Sequence, residues 1–190
     1  GGVVVMAVVF HRPYQRAQVG IGRVAPALVA GAEDKAPTGP AVVVASGLSR
    51  PKGLALLGAD LLIAEEGTGR VLHLTPAGAL SVFASGIRTP RWLAVAHDGT
   101  VYVTAHRLTG TDGSDPLEGK VIIRRDPATA LLSVVAANIR KLGAIALNGS
   151  ALFATAQRQE SLPIATGVIL RYPLLSGGTL GSPAYFVSIA

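Results

Sequence analysis

The sequence predicts an all-β protein of β-propeller blades, each of four antiparallel strands. Three blades are recognisable, and residues 1–40 leave room for a fourth, degenerate one. Three observations carry this. The 190 residues include 23 glycines and 12 prolines, so breakers interrupt the chain too often for long helices. Hydrophobic residues make up 49% and charged residues 15%, which excludes intrinsic disorder and supplies a core. Above all, a unit of roughly 40–50 residues recurs, the period of a propeller blade.

The unit opens with Val44-Ala45-Ser46-Gly47-Leu48, which returns as Phe83-Ala84-Ser85-Gly86-Ile87 and, degraded, as Val135-Ala136-Ala137-Asn138-Ile139. An apolar segment follows in each copy: Pro51-Lys52-Gly53-Leu54-Ala55-Leu56, Pro90-Arg91-Trp92-Leu93-Ala94-Val95 and Gly143-Ala144-Ile145-Ala146-Leu147. A hairpin signal comes next, at Gly58, Asp98-Gly99 or Asn148-Gly149. Asp-Gly and Asn-Gly predict type I′ turns, because both central residues need positive φ. The second strands are Leu61–Ala64, Val101–Thr104 and Leu152–Thr155. Third strands start at Gly69, Gly119 and Gly167, and Pro76-Ala77-Gly78 and Ser176-Gly177-Gly178 close outer hairpins. These units place three blades at about 41–80, 81–131 and 132–180, with Ala184–Ile189 opening a next blade.

Residues 1–40 read as an N-terminal strand or degenerate blade with a linker. Gly20-Ile21-Gly22-Arg23-Val24 resembles Gly67-Thr68-Gly69-Arg70-Val71, and Ala32–Pro40 has the composition of a loop. No apolar run reaches the roughly 18 residues that span a bilayer as a helix. The apolar Val3–Phe10 and the absence of cysteine lead to an expectation of a secreted or periplasmic protein. Without cysteine there are no disulfides, thiolate metal sites or cysteine nucleophiles. Gly20-Ile21-Gly22 lacks the third glycine of a dinucleotide fingerprint, and no serine elbow is present.

The run from Ala45 to Gly78, ASGLSRPKGLALLGADLLIAEEGTGRVLHLTPAG, resembles an NHL-type repeat. It is also similar to the six-bladed superfamily of gluconolactonases, strictosidine synthases and quinoprotein sugar dehydrogenases. The resemblance covers about residues 41–190. It implies that the Pro-x-Gly loop and the end of the following strand face a central channel that carries function. For an enzyme it implies Ca²⁺ or pyrroloquinoline quinone as cofactor, and a site in that channel. Three blades do not close a ring, so the expectation is either a homo-oligomer that completes the propeller or a chain that is a piece of a longer one.

The net charge is +6, with 13 arginines and 4 lysines, and it favours anionic partners. Basic residues recur in the loop between blades: Arg50 and Lys52, Arg88 and Arg91, then Arg140 and Lys141. Radial blades would gather them on one face, where guanidinium forks suit carboxylate or phosphate. With Trp92, a stacking surface, they form the candidate ligand site for an anionic small molecule or another protein chain. Nucleic acid is a weaker candidate, because aromatic residues are only 5%.

The ends of the second strands carry Glu65 and Glu66, then His106, then Gln157. His106 is the candidate general base and Glu65 the alternative catalytic group. Glu65 and Glu66, or Asp112, Asp115 and Glu118 of the second-blade insertion, are the candidate metal ligands, although a hard cation wants more oxygens than two acids supply. The insertion misses the EF-hand spacing, and its composition is that of any exposed loop. His97 reads as a turn residue and His73 as a strand residue.

Overall fold

The computed structural model describes residues 42–109, 119–157 and 167–188. The chain divides into two compact units, Gly1–Ser46 and Gly47–Ala190. In the first, residues 42–46 have no regular secondary structure, and Val42, Val43 and Val44 are exposed. The second holds every strand among the described residues.

Three four-stranded antiparallel sheets follow one another along the chain. Sheet one comprises β1 (Pro51–Leu57), β2 (Asp60–Glu65), β3 (Arg70–Leu74) and β4 (Leu80–Ala84) in that order. A short strand β5 (Ile87–Arg88) leads into β6 (Leu93–Val95) and β7 (Val101–Ala105). Strand β8 (Arg107–Leu108) pairs with β5 as a two-stranded ribbon, and β9 (Gly119–Arg125) and β10 (Leu132–Arg140) complete sheet two, ordered β6-β7-β9-β10. Sheet three is β11 (Ile145–Leu147), β12 (Ala151–Gln157), β13 (Gly167–Pro173) and β14 (Ala184–Ser188). The innermost strands adjoin, with β6 between β1 and β11.

The repeat frame and the sheet frame are out of phase. The sheets run 51–84, 93–140 and 145–188, so the segment that heads the second and third repeats ends the preceding outer strand. For the same reason Ala184–Ser188 is the fourth strand of sheet three, paired with β13, and does not open a further blade. The hairpins also differ from expectation. Gly58, Gly99 and Gly149 have φ of 62°, 85° and 61°, while the residues beside them keep negative φ, so the turns are not type I′. Asp98 shows why: its Oδ1 accepts the Thr100 amide at 2.9 Å while the Gly99 amide reaches the Ala96 carbonyl at 3.0 Å. That is a type I turn followed by a left-handed glycine.

Sheet two lies between the others, and its side chains alternate accordingly. Val101, Val103, Ala105, Val121 and Ile123 pack with Leu62, Ala64 and Val71 of sheet one. Tyr102 and Ile122 pack with Leu152, Ala154, Val168 and Tyr172 of sheet three. A strand buried on both faces needs an apolar run without polar alternation, which explains the sequence of β7. Each fully buried aliphatic side chain there contributes about 1.5–3 kcal/mol. On the opposite face of sheet one, strand pairing aligns two complete apolar rows, Leu54–Ile63–Leu72–Val82 and Leu56–Leu61–Leu74–Leu80. Their central members Ile63, Leu72 and Leu74 are buried, while the marginal Leu56 and Val82 are 66% and 53% exposed.

Candidate functional site

The site is built by the crossover segments that lead into each sheet. Each crossover carries two left-handed residues three positions apart: Gly47 and Arg50, Gly86 and Thr89, Asn138 and Lys141. The second of each pair has φ of 50°, 52° and 51°, although none is glycine. Residues other than glycine adopt this region at a cost of order 1 kcal/mol or more. The bend lets the crossover run beside the end of the second strand. The Glu66 and Gly67 amides donate to the Arg50 and Ser49 carbonyls at 3.1 and 3.0 Å, and the His106 amide donates to the Arg88 carbonyl at 2.9 Å.

Glu65 and Glu66 are neighbours with different work. Glu65 is fully buried and its carboxylate is saturated. Oε1 accepts the Ser49 amide at 2.8 Å, and Oε2 accepts Arg70 Nη2 at 2.7 Å, Arg70 Nε at 3.1 Å and the Thr68 hydroxyl. Burial alone would raise its pKa. The bonds from Ser49, Thr68 and Arg70, together with the Arg70 charge, outweigh that and hold it below the ordinary 4.5. Glu65 is thus a clamp on the crossover, with no free carboxylate edge for a base or a metal ligand.

Glu66 is the hub of a cation cluster. Arg50 Nη2 lies 3.3 Å from its Oε1, and Arg91 Nε and Lys52 Nζ lie 3.3 and 4.0 Å from its Oε2. The Glu66 side chain is 9% exposed, whereas those of Arg50, Lys52 and Arg91 are 65%, 46% and 45% exposed. Oε2 is buried and makes no well-formed hydrogen bond, so the pairing is Coulombic rather than directional. Arg91 reaches Glu66 because β1 runs close to it: a side chain on Gly53 would collide with the Arg91 carbonyl and stand 3.0 Å from Trp92 Cα. Trp92 is 43% exposed, and its backbone amide donates a hydrogen bond to Thr104 Oγ1 at 3.1 Å.

Lys120, which the repeat comparison does not single out, joins the cluster. Its Nζ donates to the Leu142 carbonyl at 2.9 Å, beside Lys141. Burial, then Arg91 and Lys141, push its pKa down against the pull of Glu66. A sequence signal existed. Strand pairing sets Ala105 opposite Val121 as Glu65 is opposite Arg70, so Lys120 and not Gly119 occupies the place of Gly69. A lysine where the other copies have Gly69 and Gly167 breaks the repeat.

Of the predicted ligand residues, the structure therefore gathers Arg50, Lys52 and Arg91, with Lys141 in reach through Lys120. Arg88 and Arg140 sit one residue before the left-handed position, on β5 and at the end of β10, and belong to their own strand pairings. His106 is half-buried at the repeat position equivalent to Glu66, as is Gln157, whose Oε1 is buried with no hydrogen-bond partner among the described residues. His97 is exposed in its turn, and His73 pairs with Asp60 at 2.7 Å. Asp112, Asp115 and Glu118 lie outside the described residues. Glu65 and Glu66 do not fit a divalent cation: one carboxylate is saturated, and three cations surround the other. No helix among the described residues is long and apolar enough to cross a membrane.

No protein family and no curated protein matches the sequence. Solved structures do. A gluconolactonase from Xanthomonas campestris superposes with a TM-score of 0.59 at 18% identity, over 77% of this chain and 51% of that one. A chain of a nidogen/laminin complex gives 0.55 at 13%, over 74% and 49%. The pyrroloquinoline-quinone-bound aldose sugar dehydrogenase of Streptomyces coelicolor gives 0.50 at 20%, over 72% and 51%. The fold is that of a β-propeller. The chain spans about half the length of each of these propellers, which include both enzymes and a component of a protein complex.

Proposed function

We propose that this propeller is a binding module of NHL type that takes an anionic ligand or partner on the cations gathered around Glu66. One observation carries the reading: Arg50, Lys52 and Arg91, from the start of β1 and the segments that lead into β1 and β6, converge on a single buried carboxylate while keeping their outer faces in solvent. Lys120 is within electrostatic reach of the same carboxylate and Lys141 lies beside Lys120, so positive groups outnumber the one anion. The excess charge raises the local concentration of anions, and the guanidinium forks suit carboxylate or phosphate oxygens. A carboxylate-bearing cofactor belongs to the same ligand class, which is where a sugar-dehydrogenase-like activity would enter.

Calorimetric titration with inorganic phosphate and with a dicarboxylate tests the reading. Binding should weaken with salt and be lost in Arg50→Gln/Arg91→Gln. Unchanged affinity in that double variant refutes it.

A second reading, assembly, rests on the two apolar rows of sheet one with exposed margins and on three sheets spanning half of each matched propeller. A second copy would then complete a ring of six sheets.

A further inference from the structure

We propose that Lys120 is an imine-forming amine of the basic cluster, addressed by small aldehydes or ketones that carry a phosphate or carboxylate group. This rests on the anion-binding reading above and adds a covalent step to it. Among the described residues the hydrogen-bond partner of Lys120 is a neutral acceptor, the Leu142 carbonyl at 2.9 Å, and no carboxylate lies within ion-pair distance. Its backbone is paired with Ile139 of β10 at the start of β9, and the hydrogen bond to Leu142 holds the amine in a half-buried position. The charged groups around it are Arg91 and Lys141, which disfavour a third positive charge, and Glu66, already engaged by three other cations. Burial and like charge both favour the neutral amine, which is the nucleophilic form.

The same surroundings select the reactant. Arg91, Lys141 and the Glu66-bound cations attract an oxyanion, and an oxyanion that also bears a carbonyl brings an electrophilic carbon beside the amine. The nitrogen lone pair of Lys120 attacks that carbon, and the carbonyl oxygen takes up a proton to give a carbinolamine. Loss of the oxygen as water leaves the carbon–nitrogen double bond. No oxidant or reductant takes part.

Pyridoxal 5′-phosphate, an aldehyde with a phosphate, is the probe, trapped with borohydride and mapped by peptide mass. The chain has four lysines, Lys35, Lys52, Lys120 and Lys141, so its own residues provide the comparison. Lys120 should label several times faster than Lys52 and Lys141, and excess inorganic phosphate should suppress that labelling. Lys120→Arg, which keeps a cation but has no primary amine, should remove the fast adduct and leave only the slow labelling of Lys52 and Lys141. Labelling of Lys52 or Lys141 as fast as Lys120 overturns the proposal, as does fast labelling that phosphate leaves untouched. If phosphate binds but Lys120 shows no preference, the amine role fails and the anion site stands. If phosphate binds nowhere on the protein, the anion site fails as well.

Discussion

Replacing Glu65 by glutamine tests whether the clamp beneath the site holds the crossover. The side chain keeps its shape and one acceptor oxygen, so the Ser49 amide at 2.8 Å can still be satisfied. What changes is the edge facing Arg70, where two guanidinium bonds at 2.7 and 3.1 Å meet the carboxylate. Hydrogen bonds to charged groups are worth about 1.5–3 kcal/mol, and removing one member of a buried pair costs about 3–5 kcal/mol. Arg70 is 38% exposed and can partly rehydrate, so the expected loss is about 2–3 kcal/mol. Urea denaturation at pH 7 measures it, and the cycle with Arg70→Met isolates the pair, with an expected coupling of about 1–2 kcal/mol. A loss below about 0.5 kcal/mol, or no coupling, refutes the clamp. The pH dependence carries the same sign. The folded pKa lies below the unfolded 4.5, so this stability is fully present above about 4.5 and drains away as pH falls through the folded value. In Glu65→Gln that acid-side slope should shrink.

Gly53→Ala should destabilise by about 2 kcal/mol or more and weaken phosphate binding, because the added carbon meets the Arg91 carbonyl. A folded variant with unchanged stability and affinity contradicts the close approach. Thr89→Gly should stabilise by about 0.5 kcal/mol, since left-handed strain at φ 52° is relieved and the flexibility of glycine offsets part of it. Urea midpoints decide, and a loss of stability argues against strain there. For the assembly reading, native mass by light scattering should be about twice the 19.3 kDa of the chain. Leu56→Glu, at the exposed margin of the apolar rows, should return it to one. A wild-type monomer refutes that reading.

The fold was legible because it repeats: three copies of one pattern carry more information than any single strand. The phase of the sheets was not, because Val44–Leu48 and its copies look alike whether they begin a unit or end one, and only strand pairing decides. The cations were legible as a recurring set. Which of them converge was not, since that depends on backbone conformation at Arg50, Thr89 and Lys141, positions where no glycine announces a left-handed bend. Glu65 and Glu66 are adjacent in sequence and chemically identical. Their opposite roles follow from which way each side chain turns at the end of β2, toward Arg70 and Ser49 or toward Arg50, Lys52 and Arg91.

The structure couples strain, close packing and charge at one place. Left-handed Arg50 lies beside Ser49, which the Glu65 clamp holds, and its carbonyl accepts the Glu66 amide. The clamp on one acid therefore positions both the backbone of the other and the arginine that pairs with it. Gly53 lets the next sheet bring Arg91 to the same carboxylate. Fold stability alone would not need a non-glycine residue in the strained position three times, since glycine would sit there with less strain. At Arg50 and Lys141 the residue retained is a cation that reaches, or lies near, the cluster. At Thr89 there is no charge, and the cation enters two residues later as Arg91. Glycine substitution therefore separates the two demands. At position 89 it should relieve strain and leave anion binding unchanged, whereas Arg50→Gly should relieve strain and weaken it. Equal binding in both variants would mean that the left-handed positions serve the chain path alone.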